Sequence, residues 1–291
     1  MIDHAQELLQ LSQHLQLFVF RGQADATWEL ETSLERAFRR VGGNIYSLEN
    51  TEYWMIHDFS RKYELYANGK PKVANKFEWM VLMQHYGGTT RLLDFTSSIY
   101  IAAYFALLHA STESAIWAIN RPLLRDNLFK TDKLSYKPKY DLKDVINSHH
   151  IALFNENVAR QHSVTRQNIL KHLIPLESQA LFDRASRQQS MFLGAGYLGD
   201  ISDRVSYMDN LFSSFPGLKE AYALPEKLSL TELCTAQRRN PNYQQYAVLK
   251  ILVPRKIQRE LRIELSAMGL SEETLFPGLD GLARSVVDAH I

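Results

Sequence analysis

The stretch FVFRGQADATWELETSL, residues 18–34, opens as a buried strand and then sets Arg21 and Gly22 where further apolar residues would continue it. Leu8, Leu11 and Leu15 share one face of a short helix just upstream, and the apolar run that follows predicts a strand over 17–20. A permanently charged guanidinium at the end of such a strand must be solvated, paired or bound to an anion. A salt bridge to Asp25 or Asp94 is the structural reading, and an anion anchor is the functional one. Gly22 permits a close backbone approach or a turn, and Gln23 carries an amide suited to a flat polar ligand. Trp28 either stacks on a base or fills the core.

The second polar cluster is QHYGGTTRLLDFTSS, residues 84–98, with Gln84, His85, Arg91, Asp94, Thr96 and Ser97 around a strand expected at 90–95. Side chains alternate along a strand, so Leu92 sides with Thr90, Asp94 and Thr96, while Arg91, Leu93 and Phe95 face the other way. Asp94 is expected to meet Arg21 from a neighbouring strand. His85 has a side chain able to act as acid, base or donor near neutrality, or to close a helix. The apolar run IYIAAYFALLHA follows the Thr-Ser-Ser triplet, which predicts a helix buried nearly all round, capped by a hydroxyl and offering free N–H groups to a phosphate.

Further along, Gln188 and Gln189 precede a short apolar strand and can bind a ribose or face solvent. Other strands are expected at 114–120, 173–176, 190–193 and 246–253. Helices are expected at 34–40, 47–67, 74–86, 151–161, 257–268 and 281–290. Strands separated by several helices, without strict strand–helix alternation, fit an α+β domain better than a doubly wound sheet. With no linker rich in Pro, Gly or Ser, the whole of 1–291 reads as a single domain, with insertions at about 121–170 and 197–243.

The 291 residues carry 33 Lys+Arg against 32 Asp+Glu, so no global field recruits nucleic acid or an anionic membrane. The single cysteine, Cys234, fits a reducing compartment, and the N-terminus has neither a basic region nor an unbroken apolar run, so a cytoplasmic protein without a membrane anchor is expected. His149-His150 has no companion ligands at metal spacing, and no metal is expected. Walker, dinucleotide-fold, nucleophile-elbow and zincin motifs are absent.

Taken together, FRGQADATWELETSLER, QHYGGTTRLLDFTSSIYIAAYFAL, RQQSMF and LFPGLDGLAR resemble, in order, the blocks of the FRG domain family. Thr89 stands where the family often has proline, and Ser190 where it often has glycine. The block order is in turn similar to that of the ADP-ribosyltransferase superfamily, an α+β fold with a split antiparallel or mixed sheet surrounded by helices. That resemblance implies transfer of ADP-ribose from NAD to a protein or nucleic acid acceptor, in the setting of a bacterial toxin or anti-phage effector. It implies that Arg21 holds phosphate or ribose, that Thr96 and Ser97 place the nicotinamide ribose, that Gln188 or Gln189 stands where a glutamate is expected, and that Gln188 hydrogen-bonds a sugar hydroxyl or the acceptor. Gly22, Gln23, His85, Arg91, Asp94 and Gln189 would complete the binding site. A non-catalytic nucleotide-binding module, or a hydrolase of NAD or nucleic acid, is the alternative.

Overall fold

The computed structural model describes residues 1–42, 48–66, 73–131, 143–162, 168–178, 183–199, 205–223, 228–233 and 246–290. Cys234 lies outside these residues, as do parts of the regions expected to be insertions. The α+β class is what the chain adopts: among the described residues six strands form one open sheet in the order β4-β5-β2-β1-β3-β6. They are β1 (Phe18–Gln23), β2 (Leu92–Thr96), β3 (Ser114–Asn120), β4 (Leu173–Leu176), β5 (Ser190–Ala195) and β6 (Val248–Val253). Every neighbouring pair is antiparallel, with no mixed ladder.

Strand β1 does not stop before Arg21. It runs through Arg21, Gly22 and Gln23 because all six of its residues pair with β3, from Phe18 opposite Asn120 to Gln23 opposite Ala115. Its other neighbour is joined far more sparingly, since β1 and β2 share the single register pair Phe20 and Thr96. The sheet therefore parts between β1 and β2, leaving two three-stranded halves, β4-β5-β2 and β1-β3-β6.

Three apolar clusters cover the sheet. On one face of the β1 half, Phe18, Phe20, Ile116, Ala118, Ile251 and Val253 pack under α1 (Gln6–His14), α5 (Ile99–Leu107) and α12 (Arg255–Ala267). On the same face of the other half, Leu92, Ile174, Leu176 and Phe192 pack under α3 (Leu48–Tyr63), α4 (Lys76–His85) and α7 (Lys143–Gln161). The opposite face carries Val19, Leu93, Phe95, Trp117 and Ile119 against α2 (Ser33–Arg40), α6 (Arg121–Thr131) and α9 (Tyr207–Ser214). β3 is buried along all seven residues, which is why SAIWAIN shows no polar alternation.

Helix α5 is apolar on every side and begins as its hydroxyl triplet predicts, with the Ser98 side chain accepting from the Ile101 amide. It lies unusually close to β1: a Cβ on Gly22 would run into the Ala102 carbonyl oxygen and the Ala106 amide nitrogen. Gly22 thus serves the approach of a helix, and its backbone is not in the left-handed region. α7 starts at Lys143, well before the expected 151, and Pro122 is accommodated in the first turn of α6, where a missing N–H costs nothing. Between α9 and β6 lie α10 (Leu218–Ala223) and α11 (230–233); α8 (Asp183–Arg187) precedes β5, and α13 (Glu272–Leu275) and α14 (Leu279–His290) close the chain. No helix among the described residues is long and apolar enough to cross a membrane.

Candidate functional site

A cleft of about 1100 Å³ opens where β1 and β2 part. On one sheet face it runs between α4 and α5, and on the other it is walled by α2 and the segment joining β1 to α2. Arg21, Gly22 and Gln23 enter from β1, Asp94 and Thr96 from β2, His85 from the end of α4, and Gln188 from the turn before β5. Three regions of the chain far apart in sequence therefore meet around one hollow.

Arg21 shares the sheet face of Trp117, its register partner. Its Nη1 donates to the main-chain oxygen of Asp94 at 2.8 Å, and its Nε is buried with no hydrogen-bond partner. Burial lowers the guanidinium's pKa from its ordinary value, opposed first by Asp94 and then by Tyr207. Because arginine does not give up its proton in proteins, that pressure amounts to a desolvated cation short of anionic contacts. The expected Arg21–Asp94 contact thus exists, but through the backbone. The Asp94 side chain lies on the other face, accepting from Gln84 Nε2 at 2.8 Å.

Gln23 is buried and committed: its carbonyl accepts from the Trp117 indole at 2.7 Å and its amide donates to the Glu29 carbonyl at 3.0 Å. It pins the segment after β1 over the cleft. The Thr96 hydroxyl, nearly buried, accepts from the Ser98 amide at 3.1 Å and so orders the start of α5. Gln188 donates to the Leu275 carbonyl at 3.0 Å. His85 is exposed and packs its ring edge-on against Tyr86, with centroids 5.0 Å apart.

Three expected residues fall outside the cleft lining. Ser97 donates to the Gln189 side-chain oxygen at 3.0 Å, and its amide donates to the Gln189 carbonyl, so the two residues bind each other. Gln189 adopts a left-handed φ of 46° in the turn. Arg91 is corrected more sharply: its side chain is 0% exposed and bridges Glu52 at 2.5 Å, with Gln161 and the Ala195 carbonyl as further acceptors. It is a structural strut between α3 and the start of β2.

Trp28, for which the sequence leaves stacking on a base and core packing open, lines the cleft too, with further residues that the sequence does not single out. Trp28 is 54% exposed on its wall. Glu29, Glu31 and Glu35 bring carboxylates, and Arg36 and Arg39 bring cations from one face of α2. Glu35 is the third residue of a capping box with Thr32, and its other oxygen accepts the Tyr207 amide at 2.7 Å; burial raises its carboxyl pKa against these bonds. The Thr-Ser-Leu-Glu spacing announces that box in the sequence, and with it the helix that carries Arg36 and Arg39 three residues apart. Among the described residues no three His, Cys, Asp or Glu side chains converge as metal ligands.

No curated protein matches the chain, and no solved structure does. A family model does match, over residues 16–115, a span that holds β1, α2, β2 and α5 together with the arginine at the break in the sheet, whereas the blocks around Gln188 and Phe276 lie beyond it. Residues 16–115 match the family model of the FRG domain.

Proposed function

We propose that the cleft binds NAD and transfers its ADP-ribose to a macromolecular acceptor. The observation that carries this reading is the half-buried Arg21 guanidinium at the parting of the strands, whose Nε is buried without a hydrogen-bond partner, with Arg36 on the same cleft. Two guanidiniums suit a pyrophosphate, and bidentate contacts would satisfy the Nε that the protein leaves without a partner. The volume suits a dinucleotide. Trp28 offers a ring face for the adenine or the nicotinamide.

In the reaction, the bond between the ribose C1′ and the nicotinamide nitrogen breaks, and its electron pair leaves with nicotinamide. The acceptor nucleophile attacks C1′ of the oxocarbenium-like centre, and its proton passes to a carboxylate. An amide cannot take that proton, so Gln188 orients a hydroxyl while Asp94, two residues before Thr96 on the same face of β2, serves as base. Nicotinamide release from labelled NAD, measured with protein, DNA and RNA acceptors, tests the proposal. Arg21→Ala and Asp94→Asn should both abolish labelling, and equal labelling by Arg21→Ala and the unaltered protein overturns it.

A binding module without turnover is the second reading, favoured by the amide at Gln188 and its engagement with Leu275. Calorimetry showing tight NAD binding with no nicotinamide released would establish it in place of the transferase.

A further inference from the structure

A second hollow, of about 400 Å³, lies on the far side of Tyr86 from the cleft, between the end of α3 and the end of α4. Phe59, Tyr63, Tyr66 and Tyr86 line it with Lys62 and Asp58. Tyr63 is buried and forms part of its apolar lining, whereas Tyr66 is 73% and Tyr86 53% exposed. Large rings left in water cost hydration free energy, and two of them bordering one hollow form a platform for a flat, partly apolar group.

We infer that this hollow takes a nucleobase of a single-stranded nucleic acid, which presents the neighbouring nucleotide to the cleft as the acceptor; the inference rests on the transferase reading above. Four features point to that occupant. The lining is aromatic, and stacking on tyrosine is open to every base. Lys62 stands beside the rings and forms no ion pair with the described residues, leaving its ammonium for a phosphate. Tyr86 touches His85, which lines the cleft, so the two hollows are one aromatic contact apart. Up α3 from Lys62, eight residues or about 12 Å of helix away, Trp54 exposes its ring beside His57, which gives a stretched strand a further surface to stack on.

The position of Tyr86 is set by the backbone. It caps α4, donating its amide to the Gln84 and Leu82 carbonyls, and Gly87 then turns the chain with a φ of 85°. The ring is thereby held between the two hollows on a residue that closes a helix. Nothing in the net charge of +1 argues for long-range recruitment, so affinity must come from stacking and a few phosphate contacts.

The test is fluorescence anisotropy of labelled oligothymidylate and oligouridylate on the full chain, run beside nicotinamide release from NAD. Binding of either strand should weaken about tenfold or more in Tyr66→Ala and in Tyr86→Ala, and Tyr86→Phe should restore it, since stacking needs the ring and not the hydroxyl. Lys62→Gln should flatten the dependence of log affinity on log salt by about 0.7. Both tyrosines are exposed, so these variants should fold, with circular dichroism as the check. Nicotinamide released while neither oligonucleotide binds, or labelling confined to proteins and insensitive to the Tyr66 and Tyr86 changes, overturns this inference alone. Oligonucleotide bound at the tyrosines with no NAD consumed overturns the transferase reading, and with it the acceptor role, while the nucleobase site itself stands.

Discussion

Arg21 spans the parted sheet to reach Asp94: a guanidinium nitrogen on β1 donates 2.8 Å to the main-chain oxygen of a residue on β2, whose own carboxylate is turned to the opposite face and held by Gln84. One nitrogen of the fork is thus spent on scaffold while Nε is left without a partner. Lysine at this position keeps the charge but has a single nitrogen, which cannot hold the Asp94 carbonyl and an anion in the same geometry. Arg21→Lys should therefore lower nicotinamide release at least about tenfold, the loss of one charge-assisted hydrogen bond, with the melting temperature nearly unchanged. Full activity in that variant would rule out the anchor role.

Gly22 is a packing requirement. Alanine there would push α5 off β1, because its Cβ meets backbone atoms of Ala102 and Ala106 that no rotamer change can move. Gly22→Ala should cost about 1–3 kcal/mol in urea unfolding, as overpacked cores do. A variant as stable as the parent would show that the helix has room to give.

Arg91 and Glu52 form a pair sealed from solvent, with the Arg91 amide also donating to the Glu52 carboxylate at 2.9 Å. Removing only the arginine leaves a carboxylate buried alone, so Arg91→Met should destabilise by about 3–5 kcal/mol, and adding Glu52→Leu should recover much of that. If Arg91 were instead a ligand contact, Arg91→Met would raise the KM for NAD without shifting the denaturation midpoint.

His150 gives the fold a pH dependence. Burial, with His149 next in weight and Arg121 and Arg125 adding to it, holds its pKa down to about 3, against an opposing bond to the Pro175 carbonyl. The unfolded chain, with a histidine pKa near 6.5, takes up a proton that the folded chain refuses. The stabilisation is therefore complete above about pH 6.5 and falls as pH drops toward 3, by about 2 kcal/mol at pH 5. Melting curves from pH 7 to 4.5 should show this decline, and His150→Gln should flatten it; an unchanged slope in the variant would move the effect to other groups.

Much of the frame could be read in the chain because it is written locally. The hydroxyl cap before α5, the apolar run of β3 and the Ile257, Leu261, Leu265 stripe of α12 each declare their element within a dozen residues. β1 runs past the expected residue 20 because a charged residue breaks an apolar pattern but not a ladder, and the ladder to β3 is set by residues almost a hundred positions away. Arg91 was counted with the cleft for a related reason. It stands three residues before Asp94, which lines the cleft, while the carboxylate that claims it lies thirty-nine residues earlier. Trp28 and Glu29 are held at the cleft by long-range ties, Gln23 to the Glu29 carbonyl and Lys250 to the Trp28 carbonyl, that no periodicity encodes.

The lone ladder rung between Phe20 and Thr96, with the Arg21 side chain beside it, makes the molecule two leaves sewn by little thread, with α5 lying along the seam. A molecule gripped by Arg21 on one leaf and Gln188 on the other supplies the missing stitches. Occupancy should accordingly slow amide exchange in both leaves at once, β1 and β5 alike, although only a few residues of each would touch it.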